Sequence, residues 1–144
     1  MTRDAELTIE KPIPAPRRQV FDAWLDPNAL ATFMRPPQST ISSKAETDPR
    51  VGGRFLIVMR VGSREIPHQG EYREIDRHQR LVFTWHSEYA PADSEVTLTF
   101  AEAGARQTLL TLVHRGLPST ARAAHLDGWT AILGNFTAHA TTGL

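Results

Sequence analysis

From about residue 39 to residue 115 the sequence reads as strand after strand, and the segment that follows reads as one long amphipathic helix. No other feature constrains the fold as strongly. STISSKAE (39–46) is a weakly apolar edge strand, and DPRVGG is a dense turn signal. RFLIVMRV (54–61) places Phe55, Ile57 and Met59 on one face and Leu56 and Val58 on the other. REIPHQGEYREI, RLVFTWH, SEVTLTF and QTLLTLVHR follow, separated by short polar connections. Pro67 restricts its strand to an edge, a bulge or its first residues, because it cannot donate to a ladder. In SEVTLTF the alternation is clean, with Val96, Leu98 and Phe100 inward and Thr97 and Thr99 outward. Six antiparallel strands are therefore expected in a row.

The closing segment, STARAAHLDGWTAILGNFTAHAT, opens with Ser119 or Thr120 as the expected N-cap. Leu126, Trp129, Leu133, Phe136 and Ala140 form one stripe, with Ile132 beside it. That face is broad enough to need a whole sheet as its partner. Gly128 and Gly134 each cost roughly 1 kcal/mol against alanine in a helix interior. The expectation is that they let the helix lie close to a curved sheet and leave some space beside Trp129. Before the strand run, ELTIEKPI alternates as a half-buried strand with Leu7 and Ile9. A helix follows from Pro16 through Val20, Phe21, Trp24 and Leu25, and a second starts at Pro27 with Ala29, Leu30 and Phe33. The order β-α-α-β6-α specifies an α+β fold, a curved antiparallel seven-stranded sheet wrapped around its last helix.

The 144 residues carry no internal repeat or low-complexity tract and read as one domain over 1–144. Sixteen basic residues balance sixteen acidic ones, which argues against a broad nucleic-acid or membrane surface. The arginines are scattered rather than clustered. With no cysteine there is no disulfide, thiolate zinc site or thiol nucleophile. MTRDAELTIEKPIP has no apolar run of the secretory kind, so the expected location is cytoplasmic.

The order of elements and a set of dispersed residues resemble the helix-grip proteins of the START/Bet v 1-like (SRPBCC) superfamily. The most similar branch is that of the activator of Hsp90 ATPase homologue 1-like (AHSA1-type) domains. Ala15-Pro16, Val20-Phe21, Ala23-Trp24, Asp26-Pro27 and Leu30 look like that family's first helix and turn. Asp48, Arg50, Gly52-Gly53 and Phe55 match its glycine hairpin. Gly70, Tyr72, Glu74-Ile75, Arg80 to Phe83 and Trp85 match its central strands, and Gly128-Trp129 with Leu133 its terminal helix. Phe33 stands where the family often has tryptophan. The resemblance implies an interior cavity and, in many similar proteins, a homodimer. The eukaryotic Hsp90 activators carry a further N-terminal domain for which 144 residues leave no room, so co-chaperone activity is not expected to transfer.

Strand parity assigns the side chains that face such a cavity. Leu81, Phe83 and Trp85 inward leave His86 outside. Leu110 and Leu112 inward carry His114 with them, and an inward Tyr72 puts Gly70 and His68 on the same side, with Glu74 at the rim unless a bulge near Gly70 reverses it. The expected ligand-binding set is His68, Tyr72 and His114 over Trp24, Phe55, Ile57, Met59, Phe83, Trp85, Val96, Leu98, Leu112, Trp129 and Leu133. The same residues serve equally as a packed core with satisfied polar groups. A His68–His114 metal pair lacks metal-ligand spacing, and no cofactor or catalytic motif is present: there is no nucleophile elbow, phosphate loop or paired-carboxylate site.

Three functions fit these residues. The first is a module that binds a small apolar, aromatic or polycyclic molecule, without nucleic acid or membrane. The second is a chaperone-associated or stress-response interaction domain with a filled interior and an exposed apolar patch. The third is a cavity enzyme, of cyclase or hydrolase type, using His68, Tyr72 and His114, which requires those three side chains to converge on one space.

Overall fold

A computed structural model describes residues 5–141. The proposed domain limits at residues 1 and 144 lie outside the described residues. Strand β1 (Ala5–Ile13) leads into helices α1 (Arg17–Ala23) and α2 (Pro27–Phe33). Strands β2 (Lys44–Thr47), β3 (Arg54–Val61), β4 (Arg64–Asp76), β5 (Arg80–Thr84), β6 (Glu95–Glu102) and β7 (Thr108–Leu117) follow. A 3-10 turn (Ser119–Ala121) then opens into the long helix α3 (Arg122–Thr141). The strands form one curved open sheet in the order β1-β7-β6-β5-β4-β3-β2, each neighbouring pair antiparallel.

The helices start and stop where local chemistry directs. Pro16 precedes α1 with ψ 147°, an extended residue that hands its fixed φ to the helix. Asp26 caps α2, its carboxylate accepting from the Asn28 amide at 3.2 Å, and Pro27 sits at the first helical position. The expected cap of the last helix is corrected. Pro118, not Ser119 or Thr120, precedes the 3-10 turn, and no side chain caps it. Proline's extended-to-helical preset replaces the hydroxyl.

The edge strand is also shorter than expected. Ser39 to Ser43 form a loop held to α2, with the Ser43 amide donating to the Ala31 carbonyl at 2.9 Å and its hydroxyl donating to the Met34 carbonyl. Those bonds compete with a ladder and confine β2 to Lys44–Thr47. Pro67 pairs with Val58 of β3 in the half of β4 that β5 does not accompany; the β4–β5 ladder starts only at Tyr72. Gly70 sits just before that start, and a Cβ there would lie 1.9 Å from the Thr84 carbonyl oxygen and 2.8 Å from the Phe55 ring. The missing side chain is what lets β5 close on β4 as the sheet bends.

Helix α3 buries Trp129, Ile132, Leu133, Phe136 and Ala140 against the concave face. Its far half closes over α1 and α2 through an aromatic cluster in which Trp24 and Phe33 lie 4.9 Å apart and Phe33 and Phe136 4.7 Å apart. Close approach through the glycines is corrected at both positions. A Cβ at Gly128 or Gly134 would meet nothing within 4 Å, so neither mediates close approach. Gly134 is exposed, while Gly128 is half-buried beside the space described below.

Candidate functional site

The concave face divides into a filled half and an open half. In the filled half Trp24, Phe55, Ile57, Tyr72, Phe83 and Trp85 surround a space of only about 10 Å³, at the threshold for one water. In the open half a cavity of about 190 Å³ lies between the β3–β4 hairpin, the β5–β6 connection and the first turns of α3. Met59 and Val61 of β3, Ile66 and His68 of β4, and Trp85, Ser87 and Tyr89 form one wall. Ala124, His125, Gly128, Trp129 and Ile132 of α3 form the other, and Pro36-Pro37 after α2 closes a side. Trp85 and Trp129 meet at the floor, ring centroids 4.8 Å apart and tilted by 52°.

The mouth is pinned by charge. Arg64 donates to both carboxylate oxygens of Glu88, at 2.8 and 3.1 Å, and to the Tyr89 hydroxyl at 3.3 Å. These contacts join the β3–β4 hairpin to the β5–β6 connection. Val61 and Tyr89, both about half exposed (46% and 50%), rim the opening, so it presents apolar surface to solvent.

His114 belongs to the floor and not to the open space. It is fully buried, and both ring nitrogens are engaged. The Trp129 indole N–H donates to Nδ1 at 3.0 Å, which leaves the neutral ring's proton on Nε2, 3.0 Å from the Ser94 hydroxyl. Ser94 in turn donates to the Trp85 carbonyl at 2.5 Å. The chain runs from α3 through β7 and the start of β6 to the end of β5. It fixes the orientation of Trp129. Burial lowers the His114 pKa to about 3, with His125 pushing the same way.

His68 and His125 face the cavity from opposite walls. Burial lowers His68 to about 4, against weak opposition from the Ile66 and Ile57 carbonyls. Its Nδ1 is shut off without a hydrogen-bond partner, and its ring lies 5.1 Å from that of Trp85. His125 is also lowered by burial, and its Nδ1 is 2.9 Å from the Ala121 carbonyl one turn back. Both imidazoles are therefore neutral at neutral pH, and the lining carries no net charge.

Of the fourteen side chains expected to bind, Met59, His68, Trp85 and Trp129 stand on the cavity. Trp24, Phe55, Ile57, Tyr72 and Phe83 surround the nearly filled space instead. Burial holds the Tyr72 hydroxyl above its ordinary range. Val96, Leu98, Leu112 and Leu133 are packed core. The predicted rim position of Glu74 is corrected. A bulge falls between Tyr72 and Glu74, turning Glu74 to the outer face, where it pairs with Arg80 at 3.3 Å. The convergence that a His68–Tyr72–His114 enzyme requires is absent, because Tyr72 and His114 do not border the space that His68 borders.

His125, Ile66, Tyr89 and the Pro36-Pro37 pair are cavity residues that sequence reasoning missed. His125 was within reach, since it precedes Trp129 by one helical turn. Ser94 was too, sharing the inward parity of Val96. Tyr89 and the prolines lie in connections, where no periodicity speaks. Among the described residues no cluster of metal-ligating side chains forms, and no helix is long and apolar enough to cross a membrane.

A curved sheet gripping its C-terminal helix, with an opening at one end of the grip, defines a helix-grip protein. The chain belongs to the family described as activator of Hsp90 ATPase homolog 1-like protein, whose family model matches residues 14–141. Solved structures agree in fold. A protein from Chromobacterium violaceum is 23% identical, with a TM-score of 0.78 over 94% of this chain and 96% of its own. One from Mesorhizobium loti is 18% identical, with a TM-score of 0.79 over 97% and 99%. An Hsp90 activator from Plasmodium falciparum is 26% identical, with a TM-score of 0.74 over 90% and 91%. A search of curated proteins finds no match.

Proposed function

We propose that this protein binds and carries a small apolar or aromatic molecule in the cavity between the β3–β4 hairpin and the first turns of α3, in the cytoplasm. The observation that carries the reading is the cavity itself: about 190 Å³, walled by Met59, Ile66, Trp85, Trp129 and Ile132, and open between Val61 and Tyr89. A void of roughly 150 Å³ lined by apolar groups is enough to hold benzene. The volume suits one ring or two fused rings. The uncharged lining disfavours ions, and the rigid floor set by the His114 chain offers a preformed surface, which limits the ordering cost of binding.

The test is thermal stabilisation by a library of one- and two-ring aromatics, paired with a plugged variant. A side chain at Gly128 meets no obstacle and projects beside the cavity. Gly128→Leu should raise the melting temperature and abolish the response to ligands. A library that leaves the wild type unmoved refutes the proposal. Chaperone association is the second reading, supported by the likeness to the Plasmodium falciparum Hsp90 activator. Pull-down with the cognate Hsp90 tests it, and no retention is expected.

A further inference from the structure

The cavity has a polarity as well as a size. His125 lies one turn above Trp129 on the wall formed by α3. Its Nδ1 is 2.9 Å from the Ala121 carbonyl, and a carbonyl oxygen can only accept, so Nδ1 carries the proton. In the neutral ring Nε2 is then a lone-pair acceptor. Among the described residues it has no protein partner, nor is it among the side-chain nitrogens that are closed off from solvent. Opposite it on β4, His68 has its Nδ1 sealed without a partner. The remaining surface is dominated by apolar and aromatic side chains. The site thus offers an aromatic floor from Trp85 and Trp129 and an acceptor on His125, while the cation at its mouth, Arg64, is already paired with Glu88.

We propose that the ligand is a neutral one- or two-ring aromatic carrying an O–H or N–H donor, such as a phenol or an indole, whose donor is accepted by His125 Nε2. The inference rests on the binding reading above and narrows it. The ring lies against the Trp85–Trp129 floor in the offset geometry that aromatic pairs prefer. An aromatic carboxylate would have to draw a proton onto a buried imidazole or remain unpaired, and either route costs affinity. A methyl ether of the same shape keeps the apolar contact but leaves the acceptor on His125 unmet.

Calorimetric titration with phenol, 2-naphthol, anisole and benzoate, on the wild type and on His125→Phe, tests this. The wild type should bind phenol about five- to tenfold more tightly than anisole, as one hydrogen bond of about 1 kcal/mol or slightly more provides. Benzoate should bind more weakly than either. In His125→Phe, checked for folding by circular dichroism, the preference for phenol over anisole should vanish while anisole binding persists. Equal binding of phenol and anisole by the wild type, or tighter binding of benzoate, overturns the donor inference and leaves the cavity reading standing. Binding of none of the four, with no response to the wider library, overturns both.

Discussion

The histidines make the most discriminating perturbation a fall in pH from 7.5 to 5. His114 is lowered by burial to about 3 and His68 to about 4, while both return to about 6.5 on unfolding. Because the folded values lie below the unfolded ones, the unfolded chain takes up protons that the native state refuses. The stabilisation is complete above pH 6.5 and drains away as pH falls toward the folded values. Each pH unit below 6.5 costs about 1.4 kcal/mol per histidine. By pH 5 each has withdrawn about 2 kcal/mol, so the pair removes about 4 kcal/mol. His125, lowered in the same direction, adds to this. Against a total stability of roughly 5–15 kcal/mol the effect is large. Urea unfolding followed by circular dichroism at pH 7.5 and 5 measures it. His114→Gln, which keeps an acceptor for Trp129 and a donor for Ser94, should reduce the pH-dependent loss by about 2 kcal/mol. Carboxylates titrating in the same window cancel in the comparison. An identical loss in the variant and the wild type would refute the claim that His114 is buried neutral.

Ser94→Ala should destabilise by roughly 2–4 kcal/mol in chemical denaturation, because it orphans both the His114 Nε2–H and the Trp85 carbonyl. Tryptophan emission should shift as Trp129 loses its anchor. Gly134→Ala, on an open helix surface, should stabilise by about 1 kcal/mol. Gly70→Ala, whose Cβ would overlap the Thr84 carbonyl, should destabilise by several times that amount or prevent folding. A neutral Gly70→Ala would mean that β4 and β5 do not approach as described.

Much of this molecule could be read from residue order. Alternation placed Val96, Leu98 and Phe100 on the inner face, and the helical stripe from Trp129 to Ala140 is the face that α3 buries. Periodicity of this kind is a local property: each apolar position declares its side without reference to distant chain. The features that went astray were local competitions and counts. The bonds of Ser43 cut β2 short, and one extra residue after Tyr72 turned Glu74 outward. The void is of another kind. Whether Tyr72 and Trp129 border open space depends on how volumes from α2, β3, β4 and α3 add up at one point, and those segments are far apart in sequence. The same holds for His114. Parity turned it inward, but only the approach of Trp129 and Ser94 made it part of the framework, while the Ala121 carbonyl left His125 with an acceptor to offer.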